Sequence, residues 1–295
     1  MTRDATLPSF LVVGAGKAGT TSLYNLLSQH PQVYMPEIKE TNFFGWDADR
    51  PGERLWPSSE RNVFPVRDLE GYRELFSNVK GYRAAGEASP LYLESRLAPA
   101  RIRETVPDVR LIVTLRDPVE RAYSGFKMKV QNGFETRSVS DAFSLEEHRV
   151  QAGFYHRMLK RYFDLFPREQ IMVLIFEEWR SDMVGCLSKV FEFIDVDPAF
   201  QVDLRVDRNE SGVPKSRLVQ RLISSGRLRS AIDPMLPEAV RALARRLARR
   251  NLVPAPPLPA DVRDELISLY RPDVEALERL IERRLAPPWL VGSSA

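Results

Sequence analysis

The sequence predicts an α/β fold, a three-layer sandwich in which helices flank a central parallel sheet. Apolar runs of strand length alternate with segments of helical spacing along most of the chain, which is typical of α/β units. The clearest runs, Val109 to Leu115 and Ile171 to Phe176, are apolar almost throughout and do not alternate with polar residues. Strands of this kind are buried on both faces, as in parallel sheets that helices cover.

The first α/β unit lies at the start of the chain. The apolar run Phe10 to Val13 is followed by a glycine-rich turn, and Thr20 to Gln29 then has apolar residues at helical spacing. Because proline disfavours helical geometry in the residue before it, His30-Pro31 ends this helix, and Gln32 to Met35 forms a short second strand. Further along we expect a short strand at 83–87 and helices at 67–79, Leu97 to Val106, from Pro118 with Asp117 as its cap, Phe154 to Phe166, Met183 to Ile194 and Asp261 to Arg284.

Composition indicates where the protein works and which partners it lacks. Its 295 residues include 43 basic and 40 acidic side chains, and the net charge of +3 is too small to indicate nucleic-acid binding. A single cysteine, Cys186, cannot form an internal disulfide, which favours a reducing compartment. The longest apolar runs are far too short to span a bilayer, and the first residues do not resemble a secretory signal. We therefore expect a cytoplasmic protein without a membrane span.

We expect one domain, residues 1–295, with three parts outside the α/β core. Residues 46–66 are rich in Pro, Arg and Trp and are predicted to form a surface or substrate-side insertion. Residues 197–217 form a long loop, and such loops in compact domains are often functional. Residues 218–295 are predicted to be a helical C-terminal part, with a basic amphipathic helix at 241–250 whose usual meaning is a solvated face.

A glycine-rich loop, residues 14–19, joins the first strand to the first helix. Backbone amides at such a helix start bind phosphate groups, assisted by the positive end of the helix dipole. The glycines match the dinucleotide fingerprint G-x-G-x-x-G, and Glu37 lies where the acidic residue of that fingerprint is expected. The loop also approaches the nucleoside-triphosphate P-loop, except that Thr20 occupies the lysine position and the lysine is Lys17, inside the loop. A third interpretation is a phosphosulfate loop, in which Lys17 faces the bridging oxygen and Thr20 and Thr21 supply hydroxyl donors.

A second anchor for an anion follows the strand Val109 to Leu115. Arg116 stands at the strand end, where an arginine can hold a phosphate through paired donors, and Ser124 lies two turns into the next helix. Ion pairs with Asp117 or Glu120 are the alternative role for this arginine. Ligands of open α/β sheets bind at the carboxyl ends of strands, where both this arginine and the glycine-rich loop lie. The dinucleotide interpretation assigns no role to this second motif, Arg116 to Ser124, and is therefore disfavoured.

Both segments resemble motifs of the sulfotransferases that use 3′-phosphoadenosine 5′-phosphosulfate (PAPS). Lys17-Ala-Gly-Thr-Thr-Ser22 resembles their 5′-phosphosulfate-binding loop, usually K-[ST]-G-T-[ST], although Ala18 replaces the usual hydroxyl residue. Arg116 to Ser124 resembles their 3′-phosphate motif, R-[DN]-P-x-x-R-x-x-S. The resemblance implies that Arg116 and Ser124 bind the 3′-phosphate, and that the 5′ end is bound by Lys17, Ala18, Gly19, Thr20, Thr21 and Ser22.

A third segment, Met35 to Phe44, resembles the K-E-x-x-F-F stretch of the heparan-sulfate-type branch of this family. In that branch the glutamate is the proposed catalytic base, which implies this role for Glu40, since a carboxylate can accept the proton of an attacking hydroxyl group. Asn42 and Gly45 depart from the His and Asp that the branch often has. The rival candidates for the base are Glu37 and Glu87.

A late basic segment, Asn209 to Arg217, resembles the loop that closes over the cofactor in this family. The resemblance implies cofactor contacts from Lys215, Ser216 and Arg217. The chain has 3 histidines and a lone cysteine, and they form no metal-binding motif, so we expect no metal requirement.

The resemblance implies a P-loop-type fold and transfer of a sulfuryl group from PAPS to an acceptor hydroxyl or amine by in-line displacement. The nucleotide product would be 3′-phosphoadenosine 5′-phosphate (PAP), and the acceptor a carbohydrate, a lipid or a small natural product. Three alternatives remain open. The first is a P-loop nucleotide kinase or other phosphotransferase, which the lysine position disfavours, and the second is a nucleotide-binding domain without catalytic activity. The third is an NAD enzyme, which the second motif disfavours.

Overall fold

The computed structural model describes residues 7–46, 64–132, 134–207, 213–214, 252–253, 257–285 and 289–290. The chain divides into two compact units. The first contains Met1–Pro118, Phe154–Arg208 and Tyr270–Leu290, and the second contains Val119–Gly153, Asn209–Leu269 and Val291–Ala295. The single domain expected over residues 1–295 stays a prediction.

The first unit is built on a sheet of five parallel strands, which confirms the predicted α/β fold. The strands are β1 (Phe10–Gly14), β2 (Val33–Tyr34), β3 (Ala84–Ala88), β4 (Arg110–Leu115) and β5 (Ile171–Ile175). They lie in the order β2-β3-β1-β4-β5, so the first strand is central. Because parallel neighbours cannot be joined by a tight turn, helix-containing connections link the strands.

The helices predicted from the sequence are present, with ends shifted by a few residues, and three further short helices were not predicted, Leu91–Glu94, His148–Gln151 and Phe176–Ser181. The helix predicted at 67–79 is shorter, because Asp68 precedes its first turn and accepts a hydrogen bond from Gly71 N–H at 2.8 Å, and the helix ends at Glu74. The described helices are α1 (Thr20–Leu27), α2 (Leu69–Glu74), α3 (Leu91–Glu94), α4 (Ala98–Thr105), α5 (Pro118–Gln131), α6 (His148–Gln151), α7 (Tyr155–Phe163), α8 (Phe176–Ser181), α9 (Met183–Phe193) and α10 (Ala260–Ile281).

The central strand β1 is buried on both faces, as its apolar run predicts. Side chains alternate across a strand, so Phe10 and Val12 point to one face while Leu11 and Val13 point to the other, and all four are 0% exposed. The face of Phe10 forms one apolar cluster with side chains of α1 and α9. Each fully buried side chain of this size stabilises the fold by roughly 1.5–3 kcal/mol. This packing holds the strand ends, and with them the site, in fixed positions.

The second unit contains a buried ion-pair cluster between α5 and α6. The Glu135 carboxylate, 5% exposed, accepts hydrogen bonds from Arg149, which is 3% exposed, and from Arg137. Arg137 also pairs with Glu147 at 2.6 Å. In the same unit two short strands, β6 (Val213–Pro214) and β7 (Leu252–Val253), pair in antiparallel fashion.

Several sequence predictions fall on residues beyond the described ranges. Most of the insertion at 46–66 and the basic helix at 241–250 lie outside the described residues, as do Lys215, Ser216 and Arg217. The loop at 197–217 is described up to Asp207, where it contains the 3-10 turn Leu204–Asp207, and again at Val213–Pro214. Among the helices of the described residues, each is too short or too polar to cross a membrane.

Candidate functional site

The site predicted from the sequence lies at the carboxyl edge of the sheet, where all five parallel strands end. Backbone hydrogen bonds join the segments that follow neighbouring strands. Ala15 N–H donates to the backbone of β4 at 2.6 Å, Ser89 N–H donates to β1 at 3.0 Å, and Glu40 N–H donates to Ala88 O at 3.1 Å. The structure therefore brings the glycine-rich loop, Glu40 and Arg116 to one edge of the sheet, where ligands of such sheets bind.

The glycine-rich loop holds a strained lysine. Gly19 has a φ of 87°, which glycine adopts without penalty, but Lys17 has a φ of 71°, which is rare for a residue with a side chain. Such a conformation costs roughly 1–3 kcal/mol and is found mainly at functional sites. At the start of the loop, a Cβ atom on Gly14 would lie 2.5 Å from Leu93 Cβ, so the close approach of α3 requires glycine there.

The first turn of α1 offers donors to an anion. Thr20 begins the helix directly after Gly19, and the turn contains no acidic residue. The first N–H groups of a helix have no partner within it and lie at the positive end of its dipole. Ala18 and Thr20 are buried, at 1% and 4% exposure, whereas Thr21 is exposed and Ser22 is half-buried. This arrangement brings the loop residues predicted from the sequence together at one helix start.

Arg116 contacts the glycine-rich loop directly. Its Nη1 donates to Lys17 O at 3.4 Å, and its guanidinium carbon lies 4.8 Å from the centre of the Phe176 ring. Phe176 also lies against the loop, since a Cβ atom on Gly19 would be 3.0 Å from the ring. The Tyr155 hydroxyl donates to Arg116 O at 2.9 Å. Sequence reasoning missed Phe176, although an aromatic residue directly after β5 was the available signal.

The segment after Arg116 is tied to the last described residues of the chain. Glu177 accepts hydrogen bonds from Asp117 N–H at 3.2 Å and from Trp289 Nε1 at 2.9 Å. The Asp117 carboxylate accepts one from Leu290 N–H at 3.1 Å. These contacts fix the backbone on the carboxyl side of the predicted phosphate anchor, and no sequence motif pointed to them.

The other predicted cofactor ligands are not brought to this edge by described contacts. Ser124 is half-buried on α5 and belongs to the second unit. That helix begins at Pro118, as the sequence predicts. The assignment of Ser124 to the 3′-phosphate stays a prediction, as do the cofactor contacts of Lys215, Ser216 and Arg217.

Glu40 combines an exposed carboxylate with an anchored backbone. Its side chain is 51% exposed and forms an ion pair with Lys39. Its φ is 61°, and that of Asn42 is 52°, so this turn contains two left-handed residues other than glycine. We call residues 40–44 the Glu40 turn. An exposed carboxylate on such a turn is accessible to an acceptor molecule.

Glu87 has the opposite environment. It is 0% exposed, and it accepts hydrogen bonds from the hydroxyl groups of Ser89 at 2.7 Å, Tyr92 at 2.7 Å and Tyr72 at 3.3 Å. Burial raises the pKa of this carboxyl group, and the hydroxyl donors lower it. Because no acceptor can reach a fully buried carboxylate, the structure argues against Glu87 as a base and leaves Glu37, which is exposed, as the rival of Glu40.

The donors at this edge fit a nucleotide with two anionic groups, such as PAPS. The glycine-rich loop and α1 provide amide donors and Lys17, and Arg116 provides a guanidinium group that touches the same loop. The described residues contain no cluster of three or more His, Cys, Asp or Glu side chains that could hold a metal ion. Independence from metal stays a prediction.

Comparison with known proteins gives a consistent result. A model described as the sulfotransferase family matches residues 8–200. The crystal structure of a sulfotransferase from Alicyclobacillus acidocaldarius is similar to this chain, with a TM-score of 0.71 and 30% sequence identity, over 95% of this chain and 97% of that chain.

The names of two curated relatives describe enzymes that act on carbohydrates. Carbohydrate sulfotransferase 15 of Mus musculus is 26% identical over 65% of this chain and 44% of its own length. Heparan sulfate glucosamine 3-O-sulfotransferase 3B1 of Homo sapiens is 28% identical over 64% of this chain and 46% of its own length. The chain thus spans less than half the length of these relatives.

Proposed function

Because this chain belongs to the sulfotransferase family, we propose that it transfers a sulfuryl group from PAPS to an acceptor hydroxyl or amine. The observation that carries the proposal is the contact between Arg116 and the lysine-containing loop at the start of α1, which joins two anion anchors at one edge of the sheet. When bound, PAPS supplies the activated sulfuryl group.

The chain's own residues divide into two groups of roles. The backbone amides of residues 17–22, with the hydroxyl groups of Thr20, Thr21 and Ser22, hold the 5′ end of the nucleotide. Arg116 and Ser124 hold the 3′-phosphate, and Lys215, Ser216 and Arg217 cover the nucleotide. The left-handed backbone of Lys17 supports the loop assignment, because strained residues concentrate at ligand sites.

Two charged side chains act on the reaction itself. Glu40 accepts the proton of the acceptor group as that group attacks, for which its exposed carboxylate is suited. Lys17 places a positive charge where negative charge develops on the departing oxygen, and preorganised charge is most effective at such a position. No metal ion takes part in these roles.

We propose a carbohydrate as the acceptor class. The printed names of both curated relatives support this choice, and a lipid or a small natural product is the competing outcome. The cytoplasmic location predicted from the single cysteine remains part of the proposal.

Thermal unfolding with PAP, ATP-magnesium and NAD as separate additions tests the nucleotide assignment. PAP at about 100 times its Kd adds roughly 2.7 kcal/mol to the stability of the folded state and raises Tm. Arg116→Ala reduces this shift, whereas Arg110→Ala, at the opposite end of the same strand, preserves it. A larger shift with ATP-magnesium favours the phosphotransferase alternative. A shift with PAP but no transfer of radiolabelled sulfate from PAPS to a panel of carbohydrate, lipid and phenolic acceptors favours a binding domain.

A further inference from the structure

The buried carboxylate of Glu87 is linked to the backbone of the Glu40 turn through the hydroxyl groups of two other residues. Glu87 lies on β3, one residue before the end of the strand, and its two oxygens accept hydrogen bonds from different elements. Oε1 accepts from the Tyr92 hydroxyl at 2.7 Å and the Tyr72 hydroxyl at 3.3 Å, and Oε2 accepts from Ser89 Oγ at 2.7 Å. An ionised carboxylate accepts hydrogen bonds only, so each of these hydroxyl groups directs its hydrogen atom toward Glu87.

Two of these hydroxyl groups also bind the Glu40 turn. Ser89 Oγ accepts a hydrogen bond from Asn42 N–H at 3.0 Å. The Tyr92 hydroxyl accepts from Phe44 N–H at 3.4 Å and lies 3.1 Å from Thr41 Oγ1. Since the Tyr92 hydrogen points to Glu87, Thr41 is the donor in that pair. Because the hydrogen atoms of the Ser89 and Tyr92 hydroxyl groups point to Glu87, their oxygen lone pairs are available to accept hydrogen bonds from the Glu40 turn.

The turn needs this support because its backbone is strained. Glu40 and Asn42 have φ values of 61° and 52°, and neither is glycine. Conformations of this kind persist only where surrounding contacts hold them in place. Thr41 and Asn42 are 0% and 5% exposed, so water could not readily replace their hydrogen bonds to Ser89 and Tyr92 if these were removed.

We propose that Glu87 is a positioning residue, which orients the hydroxyl groups of Ser89 and Tyr92 so that they hold the Glu40 turn in the conformation that presents the Glu40 carboxylate. The inference rests on the proposed function only in naming Glu40 as the base. The hydrogen-bond network itself does not depend on that role. The pKa of Glu87 is raised overall, because the effect of burial outweighs that of the hydroxyl donors, which lower it.

A matched pair of tyrosines separates positioning from simple packing. Tyr72 and Tyr92 are both 0% exposed, and both donate to Glu87 Oε1. Among the described residues, the Tyr72 hydroxyl makes no hydrogen bond to the Glu40 turn, whereas the Tyr92 hydroxyl does. Tyr72→Phe and Tyr92→Phe each remove one buried hydroxyl and keep the ring, so they differ chiefly in the link to the turn.

Amide hydrogen exchange of the 295-residue chain measures directly how often the Glu40 turn opens. Loss of one hydrogen bond corresponds to about a fivefold change in an opening equilibrium, so Tyr92→Phe and Glu87→Gln raise the exchange rate of residues 36–46 at least about fivefold. Tyr72→Phe leaves that rate near the wild-type value. If Glu87→Gln does not fold, Ser89→Ala takes its place, since it removes the same link to Asn42. Equal exchange in the two tyrosine variants overturns the inference.

Turnover with PAPS and a carbohydrate acceptor supplies the second readout. A misplaced base lowers kcat by about 10–100-fold without changing nucleotide binding, because an error on the order of 1 Å at a reacting group has effects of this size. We expect this loss in Tyr92→Phe, with an unchanged KM for PAPS, and not in Tyr72→Phe. Glu40→Gln separates the hypothesis that Glu40 is the base from the hypothesis that Glu87 positions the Glu40 turn. If that variant keeps full turnover, Glu40 is not the base and the proposed mechanism fails, while the exchange experiment still decides the role of Glu87.

Discussion

Lys17 combines a positive charge with a backbone conformation that is rare for a residue with a side chain. A lysine in the left-handed region is strained, and this one lies beside the guanidinium group of Arg116, which donates to its carbonyl oxygen. The guanidinium group therefore lies at the backbone of the loop, next to a helix start whose dipole also favours negative charge. At the scale of single residues, this placement of positive charge is suited to an anionic ligand.

Replacing Lys17 tests its part in the reaction. Lys17→Ala keeps a Cβ atom, so the backbone strain is unchanged, but the positive charge is lost. We expect kcat to fall roughly 10²–10³-fold, the scale for losing one donor that stabilises a transition state. Lys160→Ala is the control, since Lys160 is an exposed lysine paired with Asp164 at 2.5 Å on α7. Near wild-type turnover of Lys17→Ala would remove this lysine from the mechanism.

The elements of the site are loops whose shape is set by close contacts with their neighbours. The glycine-rich loop passes between α3 and the Phe176 ring, and glycines stand at both contacts. The Glu40 turn is held by the end of β3 and by the residues directly after it. The glycine-rich loop has no regular secondary structure between β1 and α1, and the Glu40 turn contains only the start of one 3-10 turn, Phe43–Gly45, so tertiary contacts determine the geometry of the site.

Two glycines of the same loop provide a matched test of this dependence. Gly19→Ala forces a side chain into a left-handed backbone and places its Cβ atom 3.0 Å from Phe176, whereas a Cβ atom on Gly16 meets nothing within 4 Å. We expect Gly19→Ala to lower the free energy of unfolding by about 1–2 kcal/mol without nucleotide, and Gly16→Ala to change it much less. Urea denaturation measures both. Equal effects would show that the backbone conformation at Gly19 is not a constraint.

At the scale of the whole molecule, acid stability depends on buried ion pairs. Arg137 and, to a smaller extent, Arg149 hold the pKa of Glu135 well below its usual range, even though burial of the carboxylate acts in the opposite direction. Arg137 likewise lowers the pKa of Glu147. A group whose pKa is lower in the folded state stabilises that state above its unfolded pKa, and this contribution is lost as the pH falls toward the folded pKa.

We therefore expect acid to destabilise the chain partly through Glu135. The free energy of unfolding decreases as the pH falls below about 4.5, the ordinary pKa of a glutamate. Glu135→Gln makes this decrease shallower and costs roughly 1.5–3 kcal/mol at pH 7, because the buried Arg149 loses its charged hydrogen bond to Glu135 and keeps only the contact with Glu147 at 3.3 Å. Asp164→Asn, in an exposed pair, is the control and changes stability by about 0.5 kcal/mol or less. An unchanged pH profile in Glu135→Gln would contradict this assignment.

Local sequence patterns determined the fold class, the helix and strand order of the core, and the positions of the glycine-rich loop and Arg116. Continuous apolar runs of strand length are typical of a parallel sheet covered on both faces, and the glycine-rich loop and Arg116 each directly follow such a run. These features are set by neighbours in sequence, which is why the five-stranded sheet agrees with expectation and why the glycine-rich loop and Arg116 lie at its carboxyl edge.

Only the tertiary structure decided which carboxylate is accessible and what supports it. Glu40 follows the short strand β2 and Glu87 lies within β3, yet Glu40 is half-exposed on a strained turn while Glu87 is fully buried among hydroxyl groups. Phe176 meets Gly19 and Arg116 across more than fifty positions of chain. Burial and hydrogen bonding between residues distant in sequence depend on how the sheet brings its strand ends together, and no local pattern encodes that arrangement.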